Sequence, residues 1–253
     1  MSKIIFISGA TAGFGKATAE KFAAKGYKLI LNGRRTDRLN HLKESLEKKY
    51  NTEIFNLPFD VQVQKEVFDA FKSLPSEWQK IDVVVNNAGL ALGRHYSDEA
   101  ELADWETMID TNLKGFLYVT KAALPFMIPH KQGHIINIGS TAAKDVYEKG
   151  NVYCATKAAV DSISKGMRID LLRHNIKVTA IHPGAAETEF SMVRFKGDEE
   201  TAKNVYEGYK PLSAEDVADI IYYCTTLPSH VCINDLVVTA TQQANAIYLV
   251  KDL

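Results

Sequence analysis

Cysteine is scarce in this chain. Cys154, Cys224 and Cys232 are odd in number and far apart, with no C-x-x-C pair. That excludes a disulfide framework and favours a reducing compartment, with the cytosol expected. No apolar run approaches the length of a membrane-spanning helix. The start, MSKIIFISGA, passes straight into a glycine loop and is too short for a signal-peptide core. Lys251-Asp252-Leu253 completes no retention or peroxisomal signal. An excess of one charge is lacking too: 30 basic residues face 31 acidic ones, mixed along the chain for a net charge of -1. Neither nucleic acid nor an anionic membrane is therefore expected as a partner. The seven histidines include no HExxH and have no cysteine partner, so no metal site is expected. His130 and His134 are four apart, but Pro129 and Gly133 place them in a turn rather than on one helical face. Ser140 has no G-x-S-x-G elbow, which argues against a serine hydrolase. No proline- or glycine-rich linker breaks the chain, and residues 1–253 are expected to form one domain.

What is present is an alternation of short β-branched runs with longer helical patterns. Strands are predicted at Lys3–Ser8, Tyr27–Asn32, Glu53–Pro58, Ile81–Asn86, His134–Gly139, Ile176–His182 and Asp235–Thr239. Runs such as Ile135-Ile136-Asn137-Ile138 are nearly continuous in apolar character, as strands covered on both faces are. The expected fold is α/β: a doubly wound, parallel, seven-stranded sheet with helices on both faces. Two predicted helices carry chemistry. Glu101 to Met127 has Trp105, Ile109, Leu113 and Phe116 on one stripe, interrupted by Asn112. Asn151 to His174 places Tyr153 and Lys157 at i and i+4 on the same side.

Ser8-Gly9-Ala10-Thr11-Ala12-Gly13-Phe14-Gly15 follows the first strand and opens the first helix. Glycines there let the backbone turn tightly and approach a pyrophosphate, while the helix N-terminus offers N–H donors and a favourable dipole. The spacing is G-x-x-x-G-x-G, not G-x-G-x-x-G, and Ala17 after Gly15-Lys16 rules out a Walker loop. The second strand ends Asn32-Gly33-Arg34-Arg35, with no acid for a ribose diol. Two guanidiniums there suit a 2′-phosphate, whereas Thr36-Asp37 reads as the cap of the next helix.

Further motifs follow in register: Asp60-Val61, Asn86-Asn87-Ala88-Gly89, Asn112, Ser140, Tyr153-x-x-x-Lys157 and Pro183-Gly184. In this order and spacing they resemble the short-chain dehydrogenase/reductase family over essentially the whole chain. The resemblance implies a Rossmann fold and hydride transfer between NADP(H) and an alcohol or carbonyl carbon. It matches Gly9, Thr11, Phe14 and Gly15 to the pyrophosphate loop, and Asp60 and Val61 to the adenine pocket. Asn86, Ala88 and Gly89 match the lining near the ribose, and Pro183, Gly184 and Thr188 the strip beside the nicotinamide. Asn112, Ser140, Tyr153 and Lys157 match the catalytic tetrad. Ser8 stands where threonine is common, and Ala186 where valine is usual.

Those residue types make chemical sense. A phenol with a pKa of about 10 is a poor base at neutral pH, and an ammonium one helical turn away would favour the phenolate. Ser140 would steady the substrate oxygen as charge develops. Lys157 would also hydrogen-bond the cofactor ribose. Asn112 is either a water holder beside Lys157 or a buried amide satisfying backbone groups.

Thr188-Glu189-Phe190-Ser191-x-x-Arg194-Phe195-Lys196-Gly197-Asp198, with Leu227-Pro228-Ser229-His230-Val231-x-Ile233-Asn234, resembles the branch acting on small 3-hydroxy acids such as serine, allo-threonine and 3-hydroxypropionate. That branch implies a homotetramer and a substrate lid at about 185–212. A substrate carboxylate needs a cation. Arg194 is the first candidate, with Tyr147, Lys144 and Arg94 behind it; the alternative is that Arg194 serves the lid or a subunit interface. A general carbonyl reductase or polyol dehydrogenase, and a non-catalytic NADP-sensing protein, are the competing readings. His182 and Cys154 are expected to be packing residues, and Lys43–Lys49 a solvated helix face.

Overall fold

Strand β1 (Ile4–Ile7) is apolar at every position because both of its faces are covered. Ile5 and Ile7 point into one core and Ile4 and Phe6 into the other. The first core lies beneath α1 (Gly13–Ala23) and α2 (Thr36–Tyr50) and takes Phe22, Leu39, Leu42 and Leu46. On the opposite face α3 (Gln64–Lys72) contributes Val67 and Phe71. Each fully buried Ile, Leu or Phe of this kind contributes about 1.5–3 kcal/mol by leaving water. The computed structural model describes residues 2–252.

The remaining strands are β2 (Lys28–Leu31), β3 (Ile54–Asn56), β4 (Ile81–Asn86), β5 (Gly133–Ile138), β6 (Ile176–Pro183) and β7 (Asp235–Val238). All seven are parallel, in the order β3-β2-β1-β4-β5-β6-β7. Every predicted strand is present, with ends within two residues of expectation. The order reverses direction between β1 and β4, so a crevice opens at the carboxyl ends of those two strands. The glycine loop follows β1, and Asn86-Asn87-Ala88-Gly89 lies at and beyond the end of β4.

One predicted helix differs. The stretch read as a single helix from Glu101 to Met127 is α4 (Leu102–Ile109), a π-helical segment at Asp110–Gly115, and α5 (Phe116–Ala123), followed by a 3-10 turn at Leu124–Phe126. A π turn inserts one extra residue per loop and re-aims its side chains; here it carries Asn112. Helix α6 (Asn151–Leu171) runs on as a 3-10 turn to His174, where Asn175 takes a left-handed conformation.

Beyond β6 the chain makes an excursion whose two ends are tied together. Ala186 and Leu212 form a parallel bridge, Glu187 N donates to Leu212 O at 2.9 Å, and Leu212 N donates to Ala185 O at 3.1 Å. Within it lie α7 (Glu189–Arg194), capped by the Thr188 hydroxyl, and α8 (Glu199–Asn204), capped by Asp198. Helix α9 (Ala214–Thr226) begins with a reciprocal Ser213–Asp216 capping box and returns Val217 and Ile221 to the first core. Among the described residues no helix is long and apolar enough to cross a membrane.

Candidate active site

The glycine loop is built for close approach. Gly9 has φ +67°, a conformation that side chains disfavour. A Cβ on Gly15 would collide with the Gly9 carbonyl and the Asn87 amide, so only glycine lets α1 pack this tightly under the loop. The α1 terminus has no side-chain cap and no acid in its first turn. Its first N–H groups and the positive end of its dipole are left for an anion. Asn87 Nδ2 donates to Ser8 O and Gly9 O at 2.9 and 3.2 Å, and Ser8 Oγ accepts from Asn87 N and Ala88 N at 3.0 Å each. The ends of β1 and β4 are thereby locked together at the crevice.

A cleft of about 510 Å³ runs from this loop across the strand ends. At one end Arg34 Nη1 pairs with Asp60 Oδ2 at 3.3 Å, and Arg35 donates to Thr11 Oγ1 at 3.0 Å. Two guanidiniums beyond an uncapped helix terminus and a glycine cradle fit a dinucleotide bearing a 2′-phosphate. Gly9, Thr11, Phe14, Val61, Ala88, Gly89, Pro183, Gly184 and Thr188 line the same cleft. Gly15 and Asn86 do not. Gly15 sits behind the loop, and the buried Asn86 amide donates to Thr120 Oγ1 and Asn137 Oδ1 at 2.9 Å, inside the sheet–helix core.

At the other end Ser140, Tyr153 and Lys157 meet. Ser140 follows β5 and its hydroxyl accepts from Ala142 N at 3.1 Å, capping a 3-10 turn. The ammonium of Lys157 is buried, donates to Ile138 O at 2.9 Å and lies 6.0 Å from the Tyr153 ring centroid. Burial pushes Lys157 down to about 8, because a desolvated ammonium is costly. Burial also raises the Tyr153 phenol above its usual value, most of all, while the Ser140 hydroxyl and the Arg194 guanidinium pull it back. Asn112 is buried, outside the cleft; its amide accepts from Leu90 N and donates to Leu90 O, both at 2.8 Å, and donates to Thr156 Oγ1 at 3.1 Å. It ties the loop after β4 to α6.

The substrate end is walled by arginine and aromatic groups. The Arg194 guanidinium stands 5.5 Å from the Tyr147 ring centroid and 5.7 Å from that of Tyr153, with Nε donating to Gly93 O at 3.4 Å. Arg94 stands 5.8 Å from the Tyr147 ring. Among the described residues neither guanidinium forms an ion pair, unlike Lys144, which is bound to Asp161 and Asp235 away from the cleft.

Sequence reasoning passed over Phe190, whose ring centroid is 5.7 Å from that of Tyr153, although it lies in the quoted Thr188–Asp198 motif. It also missed Arg38 and Glu189. Glu189 accepts from Arg35 at 3.2 Å and from Arg38 at 2.9 Å, spanning the cleft from α7 to α2. Gln243 was missed as well, because only the fold brings its Oε1 to Ala185 N, at 2.8 Å.

Comparison with known proteins agrees with this geometry. Residues 3–199 match the family model for short chain dehydrogenase. The chain is 46% identical to the NADP-dependent 3-hydroxy acid dehydrogenase YdfG of Escherichia coli strain K12, over 96% of this chain and 97% of that one. It is 42% identical to the serine 3-dehydrogenase of Agrobacterium fabrum, over 97% of each. Among solved structures, the closed form of serine dehydrogenase complexed with NADP+ superposes with a TM-score of 0.91 at 44% identity, covering 98% of each chain. The chain is a member of the short-chain dehydrogenase family.

Proposed function

We propose that this protein is an NADP-dependent oxidoreductase that interconverts the alcohol and carbonyl forms of small 3-hydroxy acids such as serine, allo-threonine or 3-hydroxypropionate. The observation that carries the substrate class is the pair of guanidiniums, Arg194 and Arg94, that both approach the Tyr147 ring at the Tyr153 end of the cleft and have no acidic partner among the described residues. A carboxylate entering there finds its counter-charge beside the reacting carbon. When bound, the cofactor supplies hydride acceptance and donation.

The residues of the chain do the rest. Tyr153 takes the hydroxyl proton in oxidation and returns it in reduction. Ser140 hydrogen-bonds the substrate oxygen, and the Lys157 ammonium holds positive charge near the phenol and the ribose. Gly9, Thr11, Phe14, Ala88 and Gly89 cradle the pyrophosphate and ribose, Gly15 lets α1 pack behind the loop, and Asp60 and Val61 hold the adenine. Arg34 and Arg35 select the 2′-phosphate, while Pro183, Gly184 and Thr188 border the nicotinamide. Residues 185–212, tied at both ends and carrying Phe190 and Arg194, act as the substrate lid over one continuous domain. We further assign a homotetramer and a cytosolic location. Exposed Leu102, Leu117 and Ile169 on α4 to α6, Leu172 in the turn after α6, and Val237 on edge strand β7 support the former; three unpaired cysteines support the latter.

The test is Arg194→Met assayed on L-serine and on a neutral ketone of similar size. A loss of 30-fold or more in kcat/KM for the acid, with less than threefold for the ketone, is expected. Equal losses would return Arg194 to a purely structural role in the lid.

A further inference from the structure

Among the buried titratable groups that the reaction does not use is His182, near the carboxyl end of β6. Its ring is fully buried and packs on Gly139, the residue before Ser140. A methyl group at Gly139 would occupy the place of the imidazole, so glycine there admits the ring to the main chain of Ser140. Nδ1 is 3.4 Å from Ser140 N and 3.2 Å from Ser140 O. On its far side Nε2 faces Asp235 at 3.2 Å and Asp161 at 3.5 Å.

The charges around the ring balance without it. Lys144 Nζ bridges Asp235 and Asp161 at 3.0 and 3.1 Å, and Lys165 pairs with the other oxygen of Asp161 at 2.9 Å. Asp161, His182 and Asp235 converge as a metal-ligand set would, but the Lys144 ammonium already supplies positive charge between the two carboxylates. Two ammoniums against two carboxylates leave the imidazole neutral. Its single proton belongs on Nε2, between the carboxylates, and the Nδ1 lone pair is left to accept Ser140 N–H. Asp161 lies on α6, one turn past Lys157 and two past Tyr153. One imidazole therefore connects the Ser140 backbone to the helix bearing the other reacting groups.

We propose that His182 is a positioning residue: held by Asp235 and Asp161, it fixes the Ser140 main chain so that the Ser140 hydroxyl faces Tyr153 and the substrate oxygen. This rests on the role given to Ser140 above.

The experiment is a double-mutant cycle of His182→Phe with Ser140→Ala, using whichever of L-serine and 3-hydroxypropionate turns over faster. With Ser140 present, His182→Phe is expected to lower kcat at least tenfold while the Kd for NADPH stays within twofold. In the Ser140→Ala background the same change should cost less than threefold. His182→Asn, whose amide oxygen can take the place of Nδ1, should recover part of the loss. Equal losses in both backgrounds would mean general support of the fold and overturn the proposal. So would full kcat in folded His182→Phe. Undiminished turnover in Ser140→Ala alone would instead overturn the parent reading of Ser140, and this one with it. Should His182→Phe not fold, Asp235→Asn on the edge strand runs in the same cycle. A threefold or greater loss only when Ser140 is present supports the proposal, and an additive loss refutes it.

Discussion

Replacing Arg34 and Arg35 together by alanine isolates the phosphate-recognising end of the cleft. A guanidinium–phosphate contact with paired charge-assisted hydrogen bonds contributes roughly 1.5–3 kcal/mol when shielded from water. These side chains are about half exposed, 60% for Arg34 and 45% for Arg35, so solvent screening cuts that figure by about half. Each must also share its guanidinium with a present partner, Asp60 for Arg34 and Glu189 for Arg35. About 1 kcal/mol per arginine remains, or about 2 kcal/mol together, which corresponds to roughly 30-fold in Kd for NADPH. NADH has no 2′-phosphate and should lose only about twofold, through the Arg35 bond that steadies Thr11 of the glycine loop. Fluorescence titration of both cofactors at low and high salt is the assay, since the NADPH penalty must shrink as salt screens the contact. Equal losses for the two cofactors, or a penalty indifferent to salt, would refute the reasoning.

Two more substitutions probe the reacting groups. Tyr153→Phe should abolish turnover while the Kd for NADPH changes less than threefold; substantial residual rate would remove Tyr153 from the proton transfer. Lys157→Met should also abolish turnover, yet raise the unfolding temperature at pH 7. Lys157 sits at about 8 in the folded protein and at about 10.5 unfolded, so the unfolded chain binds more protons between those values. Stability therefore rises with pH through that window, and below pH 8 the buried ammonium costs roughly 3 kcal/mol. Part of the gain is lost again, because Ile138 O forfeits its donor, which costs about 1 kcal/mol. The net advantage of about 2 kcal/mol should vanish near pH 10 in thermal melts, and a pH-independent destabilisation would contradict the assignment.

The fold was legible because its signals are local. The continuous apolar strands mark a sheet covered on both faces, as β1 shows by dividing Ile5 and Ile7 from Ile4 and Phe6. Gly9 and Gly15 are equally local, because backbone shape demands them. Side-chain direction was not legible. Asn86 lies in the right motif but turns into the core, and the helical stripe around Asn112 conceals a π segment, because one inserted residue leaves apolar periodicity nearly unchanged. Lys144 was a reasonable carboxylate anchor until the fold placed Asp161 and Asp235 against it. His182 read as packing because the groups that give it a role, Ser140, Asp161 and Asp235, arrive from three other parts of the chain. Ion pairs such as Glu189 with Arg38 have no sequence period at all.

The central claim is substrate class together with cofactor. Its most direct test is the initial rate of NADP reduction with L-serine, L-allo-threonine and 3-hydroxypropionate, with NAD run alongside. The account predicts clear rates with at least one of these acids and NADP, and at least tenfold lower kcat/KM with NAD. No rate with any of the acids, while NADPH is oxidised by neutral ketones or aldehydes, would contradict it.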